Sequence, residues 1–340
     1  MTYTIKIQPS NHTFQAEPGE KILDAALRQG LSLAYGCRNG ACGSCLGELV
    51  EGAVSYDDRN RSALNASMEE QGKLLICQAV ATSDLVINAK ELTSATEIEV
   101  TRLPVRVEEK NLLCHDVMEL KLKLPETERL QFMPGQYIDI LQKDKPARAF
   151  SLANPPHRDD LLELHIRHVE GGSFTDFVFN ELQVKDLMRI EGPHGSFYLD
   201  DEGHRPIIMV AGGTGFAPMQ AILEHAIEDN DPRPIHLFWG VRAKRDLYRD
   251  ELASEWAGQH SHISYTPVLS EPMEEDHWQG ETGFVHEAVL RAYPNIANYD
   301  IYMAGPPVMV NAAVEDFTAA GLPKEQMFSD SFEFSTPVKK

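Results

Sequence analysis

Residues 37–45, with the sequence CRNGACGSC, hold three of the five cysteines of this 340-residue chain. Cys77 lies further along, so four thiols follow the order C-x4-C-x2-C and then a distant cysteine. This is the plant-type spacing for the ligands of a [2Fe–2S] cluster. The glycines among these cysteines let the backbone turn tightly and direct N–H groups at sulfur, which tunes the reduction potential.

Two other uses of these thiols fit the pattern less well. A structural zinc site usually has two close pairs of ligands, whereas Cys77 stands alone in the sequence. A disulfide is rare in a reducing compartment. The spacing therefore predicts a cluster held by Cys37, Cys42, Cys45 and Cys77, and Cys114 is expected to be a packing residue.

The composition is that of an ordinary globular protein, with 42% hydrophobic and 24% charged residues. No apolar run reaches the roughly 18 residues of a membrane span, and the N-terminus MTYTIKIQPS has no apolar signal-peptide core. We therefore expect a soluble, cytoplasmic protein. The net charge of −21 argues against a nucleic-acid partner.

The first third of the chain is typical of a small α+β domain, predicted over residues 1–92. YTIKI at residues 3–7 alternates as a strand, and ILDAALRQG from Ile22 has the spacing of a helix. Further strands are predicted around Phe14, at residues 46–50 and within KLLICQAVATSDLVI. Residues 93–101 continue a polar stretch and are expected to form a linker.

In the rest of the chain, the pattern of apolar residues changes near residue 204. Residues 102–203 contain short alternating strands between Gly and Pro turns, at 117–124, 137–140 and 161–167, which predicts a small antiparallel barrel. Residues 204–340 alternate apolar strands with amphipathic helices, beginning with the strand at 206–211 and the helix at 216–227. That alternation predicts a parallel α/β sheet whose ligand lies at the carboxyl ends of the strands.

The end of one predicted barrel strand has the residue types of a flavin site. Arg148 can pair with a phosphate, Phe150 can pack against a flavin, and Ser151 can hydrogen-bond to flavin N5. The pattern is short, so core packing of Phe150 remains an alternative. His165, Ile166 and Arg167 follow on another strand, although His165 taken alone is more often an ordinary strand histidine.

Two glycine-rich segments are typical of phosphate binding. GGSFT at residues 171–175 opens a short helix, where backbone N–H groups and the Ser173 and Thr175 hydroxyls suit a pyrophosphate. GGTGFAP at residues 212–218 joins an apolar strand to a helix, which suits a dinucleotide, although it is not the GxGxxG fingerprint. Gly305 and Pro306 follow a later strand and are predicted to lie at the same sheet edge.

With these motifs in order, the chain resembles the ferredoxin–NAD(P)H reductase superfamily fused to an N-terminal plant-type ferredoxin domain. This group supplies the reductase components of bacterial oxygenases and related electron-transfer systems. Within it, the segments YTIKI, ILDAAL, GQYIDI, GTGFAP, GFVH and FSD are similar to those of the NADH-dependent CDP-6-deoxy-Δ3,4-glucoseen reductases. The similarity covers essentially the whole chain.

The resemblance implies a β-grasp [2Fe–2S] ferredoxin domain, a six-stranded antiparallel FAD-binding barrel and an α/β NAD(P)H-binding domain with a parallel sheet. Electrons would pass from NADH through FAD to the cluster and then to a protein partner, a dehydrase or an oxygenase component. A free-flavin reductase with a metal-stabilised docking domain is a third possibility. Ser151 would be the residue nearest the reacting flavin atom. The implied cofactor contacts are Arg148, Ala149, Phe150, Ser151, Leu152, His165, Ile166, Arg167, Gly172, Ser173, Phe174, Thr175, Gly212, Gly213, Thr214, Gly215, Pro218, Gly305, Pro306 and Phe332.

Two features leave details of nicotinamide binding open. The family usually has a cysteine just before the late Gly-Pro, whereas this chain has Ala304, which bears on the seating of the nicotinamide. Arg242, Lys244 and Arg245 could meet the 2′-phosphate of NADPH, or could simply be solvated surface. The resemblance favours NADH. The C-terminal FSDSFEF is expected near the flavin, with Phe328 or Phe332 shielding the ring.

Overall fold

The structure, a computed structural model, describes residues 2–29, 31, 33–35, 40, 43, 45–56, 63–91, 98–201 and 203–331. Within these residues the strands form one five-stranded sheet, two six-stranded sheets and a two-stranded sheet. Each large sheet is built from a separate third of the chain. No helix in the described part of the chain is long and apolar enough to span a membrane.

The N-terminal third is a mixed sheet with one main helix. Its elements are β1 (Tyr3–Gln8), β2 (Thr13–Ala16), α1 (Ile22–Arg28), β3 (Leu46–Glu51), β4 (Val54–Tyr56), α2 (Ala66–Glu70), β5 (Lys73–Leu75), β6 (Ala79–Ala81) and β7 (Leu85–Asn88). The five-stranded order is β2-β1-β7-β3-β5, with β1 parallel to β7 and the other pairs antiparallel. Alternate residues of β1, Ile5 and Ile7, are fully buried in one core with Leu23 of α1.

The middle third is a six-stranded antiparallel sheet, as predicted, in the order β11-β10-β13-β8-β9-β12. Its elements are β8 (Thr101–Cys114), β9 (Val117–Lys123), β10 (Tyr137–Gln142), β11 (Lys145–Ser151), β12 (Leu162–Arg167), α3 (Ser173–Asn180) and β13 (Leu187–His194). The end strands meet only through an isolated bridge between Leu152 and Leu164. The hydrogen-bond ladder therefore does not run continuously around the predicted barrel. Pro155 and Pro156 follow Leu152 closely in the chain, and neither has an N–H to donate.

The C-terminal third is an all-parallel six-stranded sheet in the order β17-β16-β15-β14-β18-β19, which confirms the predicted α/β architecture. Its elements are β14 (Ile207–Gly212), α4 (Phe216–Glu228), β15 (Ile235–Val241), α5 (Asp250–Gln259), β16 (Ile263–Leu269), β17 (Glu281–Thr282), α6 (Val285–Ala292), β18 (Asp300–Gly305), α7 (Pro307–Ala319) and β19 (Met327–Ser331).

Strand β14 lies at the centre of this sheet and is buried on both faces. Ile207, Met209 and Ala211 belong to one core, shared with α4 and α5, while Ile208 and Val210 belong to the core shared with α6 and α7. The helices thus cover both faces, which explains why β14 is a continuous apolar run. The glycines that end β14 and β18 lie together at the carboxyl edge of the sheet.

Candidate functional site

Two of the four predicted cluster ligands, Cys45 and Cys77, are brought together by the N-terminal sheet. Cys45 precedes β3 and Cys77 follows β5, and the antiparallel pairing of Leu46 with Leu75 places the two cysteines side by side. Their Sγ atoms are 3.0 Å apart, and both side chains are buried. Cys37 and Cys42 lie outside the described residues.

The environment of Cys77 favours the thiolate, which is the form that ligates metal. The hydrogen bond with Cys45 lowers the pKa of Cys77 to about 7, although burial opposes the shift and a backbone N–H at Gly40 assists it. The pair therefore fits the iron–sulfur ligands predicted from the spacing. Cys114, by contrast, is only partly buried and lies 3.3 Å from an Asp116 oxygen.

The predicted flavin strand is β11, whose last residue is Ser151. The Ser151 hydroxyl donates a hydrogen bond to Asp330 Oδ2 of β19, 3.1 Å away, so this bond joins the middle and C-terminal sheets. Burial raises the pKa of the Asp330 carboxyl, while the bond from Ser151 opposes that rise. The ring centroid of Phe150 is 5.6 Å from that of Phe174 in α3, which brings two predicted contacts together.

The other predicted residues of this strand differ in their surroundings. Arg148 Nη1 donates to the carbonyls of Pro146 and Ala147, so its guanidinium stays within its own hairpin. Ala149 is exposed, whereas Leu152 is fully buried beside β12.

Arg167 is the predicted residue best prepared for an anion. Its Nε and Nη2 atoms are buried and have no hydrogen-bond partner within the described chain, although Nε is 3.2 Å from an Asp116 carboxylate oxygen. A β-carbon on Gly213 would lie 2.9 Å from Arg167 Nη1, so the guanidinium reaches the glycine turn. Buried donors without partners are costly, and a phosphate oxygen would satisfy them.

The start of α3 provides the second part of the predicted phosphate site. Gly172 is the N-cap residue and supplies no side-chain cap, which leaves first-turn N–H groups for a ligand. The Thr175 hydroxyl donates to the Gly172 carbonyl at 3.0 Å and therefore supports the turn. Ser173 is exposed and Phe174 is buried, so Ser173 is the hydroxyl accessible from outside.

His165 faces the C-terminal sheet. Its Nε2 is 2.9 Å from a Glu163 oxygen and its Nδ1 is 3.1 Å from the Tyr248 hydroxyl, and its side chain is 0% exposed. Arg249 and Gln220 also reach Glu163, at 3.7 Å and 3.3 Å. These residues form a polar network between the middle and C-terminal sheets.

Glu163 is the acidic centre of that network. Burial alone would raise its pKa, but His165 and Arg249, with a hydrogen bond from Gln220, lower the pKa of Glu163 to about 2. Glu163, Tyr248 and Arg249 were not among the predicted site residues. Ile166, which was predicted, is fully buried in the core, so only its backbone can face a ligand.

The predicted nucleotide turn is a 3-10 helix, Gly213–Gly215, between β14 and α4. A β-carbon on Gly212 would lie 2.4 Å from Met309 Sδ, and one on Gly215 would lie 1.9 Å from the Ala304 carbonyl oxygen. Gly213 has a φ of 55°, which favours glycine. The turn is thus a tight backbone cradle, with Thr214 inside it and Pro218 buried in the first turn of α4.

Gly305 and Pro306 lie against this cradle, as predicted from their position after a strand. Gly305 has a φ of 150°, and its β-carbon would be 3.0 Å from the α-carbon of Gly212. Phe328 stacks on Tyr302, with ring centroids 4.5 Å apart, and so packs against the C-terminal core. Phe332 lies outside the described residues.

Comparison with known protein families matches three domains in order along the chain. The 2Fe-2S iron-sulfur cluster binding domain matches residues 5–82, the oxidoreductase FAD-binding domain matches residues 104–198, and the oxidoreductase NAD-binding domain matches residues 209–315. This chain belongs to the ferredoxin–NAD(P)H reductase superfamily with an N-terminal [2Fe–2S] ferredoxin domain. It is an oxidoreductase that binds a [2Fe–2S] cluster, FAD and a nicotinamide nucleotide.

Full-length relatives of this reductase are named as components of electron-transfer systems. It is 37% identical to the CDP-6-deoxy-L-threo-D-glycero-4-hexulose-3-dehydrase reductase of Yersinia pestis, over 98% of this chain and 99% of that protein. It is 34% identical to the phenol 2-monooxygenase reductase component DmpP of Pseudomonas sp. (strain CF600), over 98% and 95%. The reductase therefore passes electrons to a protein partner.

A solved structure extends the similarity to the whole fold. The cytochrome P450 reductase GcoB of Amycolatopsis is 30% identical and covers 97% of this chain and 99% of its own, with a TM-score of 0.65.

The described residues of the reductase fit these groups. Two buried thiols suit iron, the Nη2 of Arg167 is buried with no hydrogen-bond partner in the described part of the chain, and the glycines of the nucleotide turn leave no room for β-carbons. The cluster thiols were predicted from spacing alone. The Asp330 and Glu163 contacts join distant segments and have no local sequence signal.

Proposed function

We propose that this reductase oxidises NADH and delivers the electrons singly to a dehydrase that acts on a CDP-linked 6-deoxyhexulose. The observation that carries the proposal is the 37% identity to the dehydrase reductase of Yersinia pestis along nearly the whole of both chains. The Salmonella typhimurium protein RfbI, at 38% identity over 100% of this chain, extends that similarity. Overall, NADH gives NAD⁺, one proton and two electrons.

The bound groups supply the redox chemistry, converting a two-electron hydride transfer into single-electron steps. In our proposal Arg167 and the N–H groups at the start of α3 hold the FAD phosphates. Ser151 is held by Asp330 and positions the flavin ring, while Phe150 packs beside it. Arg148, whose guanidinium bonds within its own hairpin, is proposed to contact FAD only at the edge of the site.

The proposed iron ligands are Cys37, Cys42, Cys45 and Cys77, of which the described pair is already within sulfur contact. The nucleotide cradle from Gly212 to Gly215, with Pro218, Gly305 and Pro306 beside it, is proposed to hold the NADH backbone. Its tightness supports this role, because the dinucleotide must approach the main chain closely.

We propose NADH rather than NADPH as the donor. Arg242, Lys244 and Arg245 are exposed, but the backbone N–H of Lys244 donates to Asp276 at 3.3 Å. The acidic segment Glu274–Asp276 therefore lies beside these basic residues and disfavours a 2′-phosphate. The expected result is a higher kcat/KM for NADH than for NADPH, with a smaller difference in an Asp276→Asn variant.

The test is an anaerobic titration with NADH followed by assays with purified acceptors. Flavin absorbance and the cluster signal should both bleach, and adding the dehydrase with its CDP-sugar substrate should reoxidise the cluster. Flavin bleaching without cluster reduction would contradict the electron path. Full activity towards acceptor in a Cys37→Ser variant would instead favour a free-flavin reductase.

An oxygenase reductase is the second candidate, supported by the 34% identity to the phenol 2-monooxygenase reductase component over 98% of the chain. The two candidates are distinguished by comparing the rates at which a dehydrase and an oxygenase component reoxidise the reduced cluster.

We also propose domain boundaries at residues 1–92, 102–203 and 204–340 with a linker at 93–101, and a cytoplasmic location, where the thiols stay reduced. Limited proteolysis at the linker and cell fractionation test these two points.

A further inference from the structure

The side chain of Gln131, from the FAD-binding domain, makes two hydrogen bonds to the ferredoxin domain. Its Nε2 donates to the Leu33 carbonyl at 2.8 Å, and its Oε1 accepts from the Tyr35 backbone N–H at 3.2 Å. One amide thus pairs with a donor and an acceptor on the same short segment, as a neighbouring strand would.

That segment is also held on its ferredoxin side. Leu33 forms an isolated antiparallel bridge with Glu91, and the Ala34 N–H donates to the Lys90 carbonyl at 2.9 Å. Residues 33–35 therefore lie between their own domain and Gln131. The two hydrogen bonds of the Gln131 amide therefore link this segment to the FAD-binding domain.

The segment leads directly into the cluster-binding residues. Tyr35 is two positions before Cys37 in the sequence. Leu33 and Tyr35 are buried in the same core cluster as Cys45 and Cys77. Residues 33–35 thus precede the cysteine-rich segment directly in the sequence and share a core with two of the four predicted iron ligands.

The same loop of the FAD-binding domain is attached to the flavin strand. Gln136, in the loop that follows Gln131, accepts a hydrogen bond through its backbone carbonyl from the N–H of Leu152, the residue after Ser151. The buried Gln136 side chain accepts from Met133 N–H at 2.8 Å and donates to the Gly195 carbonyl at 2.9 Å. The loop therefore connects residues 33–35 of the ferredoxin domain with the backbone of Leu152, the residue after Ser151.

An apolar cluster lies beside this connection. Ile98 and Met133 are buried together, with Ala34 and Tyr198 packed against them. Ala34 of the ferredoxin domain thus packs beside Met133 and Tyr198 of the FAD-binding domain, next to the paired hydrogen bonds of Gln131.

We propose that Gln131 is a positioning residue that seats residues 33–35 of the ferredoxin domain against the FAD-binding domain and so sets the rate of electron transfer from flavin to cluster. The inference rests on the proposed electron path. It assigns no chemistry to Gln131 itself, which acts only through the backbone of residues 33–35.

The test compares Gln131→Leu, Gln131→Glu and a control, Gln183→Leu, in the cluster- and FAD-loaded protein. Gln183 lies in the same domain, and its side chain bonds only to the nearby Glu181 carbonyl among the described residues. Stopped-flow absorbance separates flavin reduction by NADH from the subsequent reduction of the cluster. Hydrogen exchange resolved to the single Tyr35 amide, by overlapping peptides around residues 31–35 or by NMR, reports the bond from Tyr35 to Gln131.

In Gln131→Leu both bonds are lost, and we expect the Tyr35 amide to exchange at least roughly tenfold faster. Cluster reduction should slow by a similar factor, while flavin reduction keeps its wild-type rate. Gln131→Glu keeps the acceptor for Tyr35 but loses the donor to Leu33, so it should fall between Gln131→Leu and wild type. Gln183→Leu should match wild type in every measurement.

Three results would overturn the proposal. They are wild-type exchange in Gln131→Leu, faster exchange with an unchanged rate of cluster reduction, and an equal slowing of flavin and cluster reduction. Failure of NADH to bleach the flavin in the wild-type protein would refute the proposed function instead. In that case the comparison of hydrogen exchange between Gln131→Leu and wild type still decides whether Gln131 holds residues 33–35 in place.

Discussion

Replacing Gly215 by alanine tests whether the glycine turn is a nucleotide cradle that depends on close packing. The φ of Gly215 is −58°, an ordinary helical value, so backbone strain does not explain the glycine. Space does, because a β-carbon would lie 1.9 Å from the Ala304 oxygen, and real β-carbons essentially never approach closer than 3.0 Å. Gly215→Ala must therefore move the turn away from β18 by about 1 Å or more.

A displacement of that size is large for a reaction that requires aligned reactants. A misplacement of about 1 Å can lower a rate on the order of 100-fold. We therefore expect kcat/KM for NADH to fall by about 100-fold in Gly215→Ala. The FAD and iron contents should stay at wild-type levels, because Arg167 lies on β12 and Cys45 and Cys77 flank β3 and β5, all outside the displaced turn.

The assay is anaerobic stopped-flow reduction of the flavin over a range of NADH concentrations. The matched control is Gly258→Ala in α5, where a β-carbon would meet nothing within 4 Å. That variant should keep wild-type kinetics and gain about 0.5–1 kcal/mol of stability. Wild-type kinetics in Gly215→Ala would refute the reasoning, and so would a loss of FAD from that variant.

Three further perturbations test other parts of the site. Cys77→Ser should abolish the cluster absorbance while FAD remains bound, as measured by iron content and visible spectra. Arg167→Ala should weaken FAD binding by roughly 10- to 100-fold in a fluorescence titration, whereas the exposed Arg102→Ala should not. Burial lowers the pKa of His225 to about 4, so the unfolded chain binds the extra proton as pH falls from about 6.5 towards 4 and stability drops in that window. In urea unfolding, wild type should lose about 2 kcal/mol of stability between pH 7 and pH 5 from this group, His225→Phe should not show that loss, and an unchanged pH profile in the variant would contradict the assignment.

The sequence predicted best those elements whose burial follows a simple period. The apolar run of β14 and the alternation of β1 lead directly to strands, and α4 has a continuous buried face. By contrast, α5 was not predicted, because only Ala253 and Trp256 among its residues are buried and the apolar period is too sparse to recognise.

Strand β8 shows a different limit of periodicity. It runs from Thr101 to Cys114, but only its first half alternates clearly between buried and other residues. Pro104 and the polar run that follows also argue against a strand. Pairing with β9 and β13 overrides these local signals, since both sides of β8 are hydrogen-bonded.

The same distinction applies to the site. The cysteine spacing and the glycine turns are short patterns in which chain neighbours share one ligand, so the sequence alone indicates them. The contacts of His165 could not be predicted, because Tyr248 lies 83 positions away and belongs to another sheet. Such contacts depend on how the domains pack, which no local period encodes.

The end of β18 is where the separate signals become one site. The Ala304 carbonyl blocks a side chain at Gly215, and Ala304 itself pairs in register with Asp330 of β19. Asp330 in turn holds the hydroxyl of Ser151. The nucleotide turn, through Gly215, and the flavin strand, through Ser151, are therefore both positioned by the pair Ala304 and Asp330. Ala304 is fully buried, so a larger side chain at position 304 would disturb both halves of the site at once.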